Sequence, residues 1–415
     1  MSEHYDDLEV RTPAAREADL LSRLPAQIAH AQTKSPAFQK ILAGIDAAQI
    51  TTRAALAQLP VTRKYELLAQ QQALRSSTPF GGFNTHPFGP HMPRVFASPG
   101  TIYEPEGKST DYWRMARAIY AAGFRAGELI HNCFSYHFVP AGSMMETGAH
   151  ALGCSVFPGG TGQTEQQVQV MAELRPAGYI GTPSFLKLIV EKAQALGTPI
   201  PSVTKALVSG EAFPPSLRDW LQAQGIAGYQ CYATADLGLI AYETSAREGL
   251  VVDENVIVEI VRPGTGEPVP EGEVGELVVT SLNPDYPLIR FGTGDLSAIL
   301  PGTCPTGRTN TRIKGWMGRA DQTTKVRGMF VHPGQIAEIV KRFPQAEKAR
   351  LVVSGAMAND SMVLMIESTE TSPGLAQLLC DAVRDVTKLR ADVQLVSPGS
   401  LPNDGKVIED ARSYA

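Results

Sequence analysis

The residue types that chemistry needs gather in a few short stretches of this chain. The segment FASPGTIYEPEGK, residues 96–108, holds Ser98, Gly100 and Thr101, two hydroxyls and a flexible residue whose backbone N–H groups can curl around an anion. In FGTGDL, Asp295 follows a glycine, and an ionised carboxylate accepts from two hydroxyl donors at once. VSGEAFP brings Gly210, Glu211 and Ala212, and YATAD brings Tyr232, Thr234 and Asp236: an aromatic ring, a hydroxyl and an acid in close succession. Near the end, NDGKVIED carries Lys406, a compact charge on a flexible stem, suited to neutralising negative charge as it develops. FSYHFVPAG sets Phe134, Tyr136, His137 and Phe138 ahead of Gly142, and could line an aromatic, partly polar pocket. Each has a plainer reading: turn aspartates, a solvated lysine, an aromatic cluster that belongs to the core.

Positioning these groups falls to a regular alternation. Apolar runs LIHNCF, CSVFP, GYIGT, KALVSG and GYQCYAT are separated by helical runs such as SFLKLIVEKAQALG and LRDWLQAQG. Strand, loop and helix in succession imply parallel strands with crossover helices, so functional loops fall at the strands' C-terminal ends, near residues 181, 209 and 233. Ahead of them lies a helical segment over about 14–78, punctuated by Pro60 and Pro79, and STDYWRMARAIYAAGFRAGE reads as one capped helix. From about 249 to 319 the texture turns to alternating β, and from about 320 to 415 strands and helices form a compact α+β module.

Composition narrows the function classes. With 37 basic against 42 acidic residues the net charge is −5, which disfavours nucleic acid and acidic membranes as partners. No apolar run approaches a membrane span and the acidic start lacks a signal-peptide core, so a cytoplasmic protein is expected. Five scattered cysteines without a CxxC pair argue against a disulfide framework.

Three linked stretches, YPLIRFGTGDLSAI, GRADQTTKVRGMFVHPGQI and GSLPNDGKVIEDAR, resemble the core motifs of AMP-forming adenylating enzymes, and within them the phenylacetate-CoA ligase family. The resemblance runs through LPVTRKYEL to the last turn and covers nearly the whole chain. It implies an α/β fold with a large N-terminal domain, residues 1–319, holding parallel-type sheets and a β subdomain, and a small mobile α+β C-terminal domain, 320–415. It also implies a two-step reaction: a carboxylate attacks the α-phosphate of ATP, and the thiol of coenzyme A then displaces AMP.

By the same resemblance, Asp295 would hold the ribose hydroxyls and Arg319, in GRAD, would lie on the ribose or phosphate side. Gly210, Glu211 and Ala212 would flank adenine, Tyr232 would stack on it, and Thr234 would approach the α-phosphate. Asp236 would hold magnesium, although it is one methylene shorter than the family's glutamate. Asp321 would be the hinge, Lys406 would reach the carboxylate and α-phosphate, and Phe134, Tyr136, His137, Phe138 and Gly142 would line a pocket for an aryl or arylacetic acid. ATP or AMP, Mg2+ and coenzyme A are the implied cofactors, and a small carboxylic acid with coenzyme A or another thiol the partners; a homodimer is compatible with this.

The pattern breaks in two places. Positions that carry a zinc cluster in some relatives fall on Thr244, Val251, Cys304 and Thr306, of which Cys304 alone can ligate, so no zinc is expected. The phosphate loop, which in the family resembles SSGTTGKP, reads Ser98, Pro99, Gly100, Thr101, Ile102, Tyr103, Glu104, Pro105. Proline removes a donor, tyrosine replaces glycine and glutamate reverses the lysine charge. A unit charge about 4 Å from a phosphate is worth roughly 4 kcal/mol at an effective dielectric of 20, so the exchange is expected to weaken ATP use. Two classes therefore stay open: an acid:CoA ligase, or an ATP-impaired homologue that binds AMP, acyl-adenylate or acyl-thioester in a non-ligase or regulatory role.

Overall fold

The computed structural model describes residues 3–320, 322, 324–331, 333–356, 359–402 and 406–412, which separate into a Met1–Met317 unit and a Gly318–Ala415 unit. Thr12 accepts from Ala15 N–H and Pro13 follows it, a paired start signal for helix α1 (Pro13–Lys34), which buries Leu20, Leu24, Ile28 and Ala31. Residues Thr62 and Arg63 pair in parallel with Phe291 and Gly292, and this short bridge delivers helix α2 (Lys64–Leu74) to the strand that carries Asp295. A hairpin of strands β1 (Arg94–Ser98) and β2 (Ile102–Glu106) comes next.

Helical geometry in the following segment covers Ala116–Ala121, less than the helix expected over 109–128. Asp111 and Arg114 adopt left-handed backbone with φ of 52° and 63°. The Asp111 carboxylate accepts from Met115 N–H and Ala116 N–H at 2.7 and 3.1 Å. A short acidic side chain that bonds the backbone just ahead of it stabilises a turn in competition with the helix.

The alternation then runs β3 (Leu129–Asn132), α3 (Ala141–Leu152), β4 (Ser155–Pro158), α4 (Thr164–Leu174), β5 (Gly178–Gly181), α5 (Pro183–Leu196), β6 (Lys205–Val208), α6 (Pro215–Ala223) and β7 (Ala227–Thr234). Strands β4, β3, β5, β6 and β7 lie side by side in that order, all parallel. Strands β8 (Gly238–Glu243) and β9 (Leu250–Val252) extend the sheet antiparallel, and two short strands at Ile299–Leu300 and Arg312–Ile313 bring it to nine. The parallel half thus presents the loops after 132, 181, 208 and 234 on one edge, where an open α/β sheet binds its ligands. Strands β10 (Val256–Val261), β11 (Gly275–Ser281) and β12 (Phe291–Ser297) form a second, antiparallel sheet joined by the Thr62–Arg63 bridge.

The Gly318–Ala415 unit has its own core of Ile336, Ile339, Leu351, Val353, Leu364, Leu379 and Val383. Its sheet pairs β13 (Lys348–Ala356) with β14 (Asn359–Glu367) antiparallel, flanked in parallel by the strands at Asp392–Val396 and Ile408–Asp410. No described helix is long and apolar enough to cross a membrane.

Candidate active site

The segment expected to grip phosphate is a tight β-hairpin. Ser98 pairs with Ile102 around the turn Pro99–Gly100–Thr101, in which Gly100 and Thr101 take φ of 102° and 51°. Residues opposite each other share a face, so Ser98, Ile102, Phe96 and Glu104 lie together. Glu104 is therefore turned inward and fully buried, 2.5 Å from Ser98 Oγ and accepting from Ser98 N–H at 3.2 Å. Burial first, and the charge of Asp236 second, push its carboxyl up to about 8, against the pull of Lys64 and the two Ser98 bonds. The Glu104 carboxyl thus faces Ser98 inside the hairpin and not the turn, and burial favours its neutral form, which lessens the charge it presents to a phosphate. The Ser98 hydroxyl is likewise buried and engaged with Glu104, while Gly100 and Thr101 stand exposed at the tip.

Helix α2 clamps this hairpin. Gln71 accepts from Tyr103 N–H at 2.8 Å and donates to Tyr103 O at 2.9 Å. Arg75 donates to Thr101 O at 2.8 Å, with its Cζ 5.2 Å from the Tyr103 ring centroid. Tyr103 therefore replaces a flexible glycine with a fixed strand residue, not with an obstacle at the tip.

At the first turn of the same helix Lys64 Nζ donates to Asp236 Oδ2 at 2.6 Å. The Asp236 side chain is 1% exposed, and its other oxygen, Oδ1, is buried without a hydrogen-bond partner among the described residues. An orphaned carboxylate oxygen fits a single-ligand contact with magnesium, a cation that takes one or two protein carboxylates and completes its shell with water and substrate phosphates. Among the described residues there is no group of three or more His, Cys, Asp and Glu able to hold a metal alone.

Tyr232 and Asp295 meet. Tyr232 Oη donates to Asp295 Oδ2 at 2.5 Å, and Trp316 Nε1 donates to Asp295 Oδ1 at 3.1 Å. Thr293 Oγ1 accepts from Asp295 N–H at 3.1 Å, across Gly294, whose φ is 73°. Thr234 Oγ1 accepts from Leu237 N–H at 3.1 Å, just past a β-bulge at Tyr232 and Ala233 that re-aims the end of β7. Gly210 takes φ of 84°, and a Cβ there would lie 3.6 Å from Phe134, so the turn after β6 and the loop after β3 adjoin. Ala212 is half-buried beside it. The Glu211 carboxylate accepts from Ser184 N–H at 2.7 Å, at the N-terminus of α5, where the helix dipole favours a negative charge.

In the loop after β3, Asn132 Nδ2 donates to Tyr136 Oη at 2.8 Å and to Gly142 O at 2.9 Å, and Tyr136 Oη donates to Glu146 Oε2 at 2.8 Å. Burial, then the Glu146 bond, raise the Tyr136 hydroxyl far above its usual range, so it stays a donor. Phe134 is buried, but His137 is exposed and Phe138, at φ of 62°, is 81% exposed, so neither lines an enclosed pocket. Phe138 O instead accepts from Ala97 N–H at 2.7 Å and ties this loop to the hairpin.

Arg319 and Lys406 belong to the Gly318–Ala415 unit, half-buried and exposed respectively; Asp321 lies outside the described residues. The four positions compared with a zinc cluster converge: Cys304 Sγ is 3.3 Å from Thr244 Oγ1 and 3.1 Å from Thr306 Oγ1, and Val251 packs in the same apolar cluster as Cys304. Lys64, Gln71, Arg75, Asn132, Glu146 and Trp316 escaped the sequence reading. A lysine opening the helix after LPVTR, and a tryptophan shortly before GRAD, were the available signals for two of them.

The family model described as AMP-binding enzyme matches residues 110–283, a span that holds Gly210, Tyr232 and Asp236. The chain is 31% identical over 342 residues to the phenylacetate-coenzyme A ligase of Aromatoleum evansii, covering 78% of this chain and 75% of that protein. It is 30% identical to the Thermus thermophilus protein of the same name, covering 84% and 80%, and 29% identical to the Escherichia coli one, covering 97% and 95%. In fold it is similar to 2-hydroxyisobutyryl-CoA ligase in complex with 2-HIB-AMP and CoA, with a TM-score of 0.84 at 24% identity over 100% of this chain and 93% of that one. Sequence identity at this level, sustained over three quarters and more of both chains, makes this chain a member of the phenylacetate-coenzyme A ligase family.

Proposed function

We propose that the chain is an AMP-forming acid:CoA ligase that activates an aryl or arylacetic carboxylate. The observation that supports this reading most directly is the meeting of Tyr232 and Asp295, a ring and a carboxylate of the kinds that adenine and ribose would need. The acid's carboxylate oxygen attacks the α-phosphorus, pyrophosphate leaves, and the acyl-adenylate forms. The sulfur of coenzyme A then attacks the acyl carbon, AMP leaves with the bonding electrons, and the thiol proton passes to solvent.

In this scheme Asp295 accepts from the ribose hydroxyls, Tyr232 stacks on the base, Thr234 donates to the α-phosphate, and Lys406 neutralises charge at the reacting carboxylate. Asp236 Oδ1 would hold magnesium, which when bound offsets the charge of the leaving pyrophosphate. The Asn132–Tyr136–Glu146 chain gives the acid loop a polar floor beside Phe134. The Thr244–Cys304–Thr306 contacts support an expectation of no structural zinc, which metal analysis of the purified protein checks.

Pyrophosphate release and acyl-CoA formation, followed over a panel of aryl and arylacetic acids with ATP and magnesium, test the reading. Neither product with any acid would overturn it.

A further inference from the structure

The hairpin in the place of the phosphate loop has no cation of its own at the turn. Glu104 faces inward, and Arg94 is paired with Glu106 at 2.6 Å at the opposite end. Lys108 lies beyond the end of β2, and since strands advance about 3.3 Å per residue it is roughly 20 Å of chain from Thr101. Lys64 is held by Asp236. Arg75, which ends α2, is the cation that reaches the turn: Nη2 donates to Thr101 O at 2.8 Å. Its Cζ is braced 5.2 Å from the Tyr103 centroid, and its Nε is buried without a hydrogen-bond partner among the described residues.

We infer that Arg75 binds the terminal phosphates of the nucleotide at the hairpin turn, so that the charge a loop lysine supplies elsewhere in the family comes here from helix α2. This rests on the ligase reading above. A guanidinium presents five donors in a planar fork, so one N–H can hold Thr101 O while others meet phosphate oxygens, a geometry a lysine cannot share between two acceptors as rigidly. Exposed Gly100 and Thr101 leave the turn open to the ligand.

Two variants separate a phosphate contact from a structural staple. Arg75→Gln keeps a donor for Thr101 O and loses the charge; Arg75→Lys keeps the charge. Calorimetry with inorganic tripolyphosphate needs no turnover. The Gln variant is expected to bind it roughly tenfold more weakly, about 1.4 kcal/mol, and to raise KM for ATP by the same factor. The Lys variant should stay within about threefold. Transfer from a preformed acyl-adenylate to coenzyme A should be unchanged in both, because that step involves no terminal phosphates. Tripolyphosphate binding by Arg75→Gln equal to wild type, or none by the wild type, overturns the inference. Should Arg75→Gln melt early, Arg75→Lys decides by the same measurement. A wild type that binds tripolyphosphate but makes no pyrophosphate with any acid overturns the ligase reading and leaves the Arg75 comparison intact.

Discussion

Lys64 Nζ lies 2.6 Å from Asp236 Oδ2, so the acid at the end of β7 is held by the first residue of a helix far back in the chain. Breaking a fully buried pair costs about 3–5 kcal/mol, because the surviving charge is left unpaired. Lys64 is 32% exposed, and water screening lowers the expectation for Lys64→Met to about 2 kcal/mol. Pairing it with Asp236→Asn should recover part of that loss. Urea unfolding of the two single variants and the double variant measures the coupling; strictly additive losses would mean that the two side chains do not depend on each other.

The hairpin carboxyl sets a pH dependence. Glu104 is pushed up to about 8 from an ordinary 4.5, so between those values the folded protein keeps a proton that the unfolded chain has released. Its contribution to stability is fully present below about pH 4.5, falls as pH rises, and is lost above about 8, by at most about 1.4 kcal/mol per pH unit. Glu104→Gln is neutral throughout and should remove this slope. Unfolding midpoints at pH 5.5 and 8.5 check it: the gap between wild type and variant must widen toward the alkaline side, and a constant gap would sink the assignment.

The same residue shows where sequence reasoning stopped. Parallel pairing and the loops at residues 181, 209 and 233 follow from alternation, because strands joined by crossover helices run parallel and present their C-terminal ends on one edge. Asp295, Tyr232 and Gly210 were legible in the sequence as specific residue types within short motifs, the first two on strands β12 and β7 and the third at a turn of positive φ. The fate of Glu104 was not, because it depends on the hairpin register, and a shift of one residue would turn the carboxyl outward. Lys64, Gln71 and Arg75 read as an unremarkable helix face until α2 is seen lying along the hairpin. Phe138 and Glu211 show the same limit: loop backbone at positive φ turns Phe138 outward, and a neighbouring helix N-terminus engages the Glu211 carboxylate, neither of which the family resemblance could indicate.

Asp295 is bonded on both oxygens, by Tyr232 and Trp316. A nucleotide ribose would present two hydroxyl donors in their place, and a hydrogen bond to a charged group is worth about 1.5–3 kcal/mol. Asp295→Ala is expected to weaken AMP binding roughly 10- to 100-fold, whereas Tyr232→Phe, which keeps the ring, should cost less than about threefold. Isothermal titration with AMP distinguishes them. Equal losses in the two variants would assign the effect to the Tyr232–Asp295 bond and not to the ribose.

Gly142 tests the acid loop. A methyl added there would lie 2.8 Å from both Ser135 O and Tyr136 Cγ, contacts that real side chains essentially never make. Neither neighbour yields easily: Ser135 O accepts from Gly142 N–H at 2.9 Å, and Tyr136 is tied to Asn132 and Glu146. Overpacking of this kind costs about 1–3 kcal/mol, and the softer response is for the Tyr136 ring to swing away from α3. Gly142→Ala should therefore raise KM for the acid by about tenfold or more while leaving KM for ATP within about twofold, since Tyr232 and Asp295 lie on other strands, β7 and β12. A Tyr136→Phe variant separates ring position from hydroxyl chemistry: it keeps the ring and removes the Asn132 and Glu146 bonds. If acid KM is unmoved in both variants while both fold normally, this loop does not contact the acid, and the pocket must be sought on another strand end.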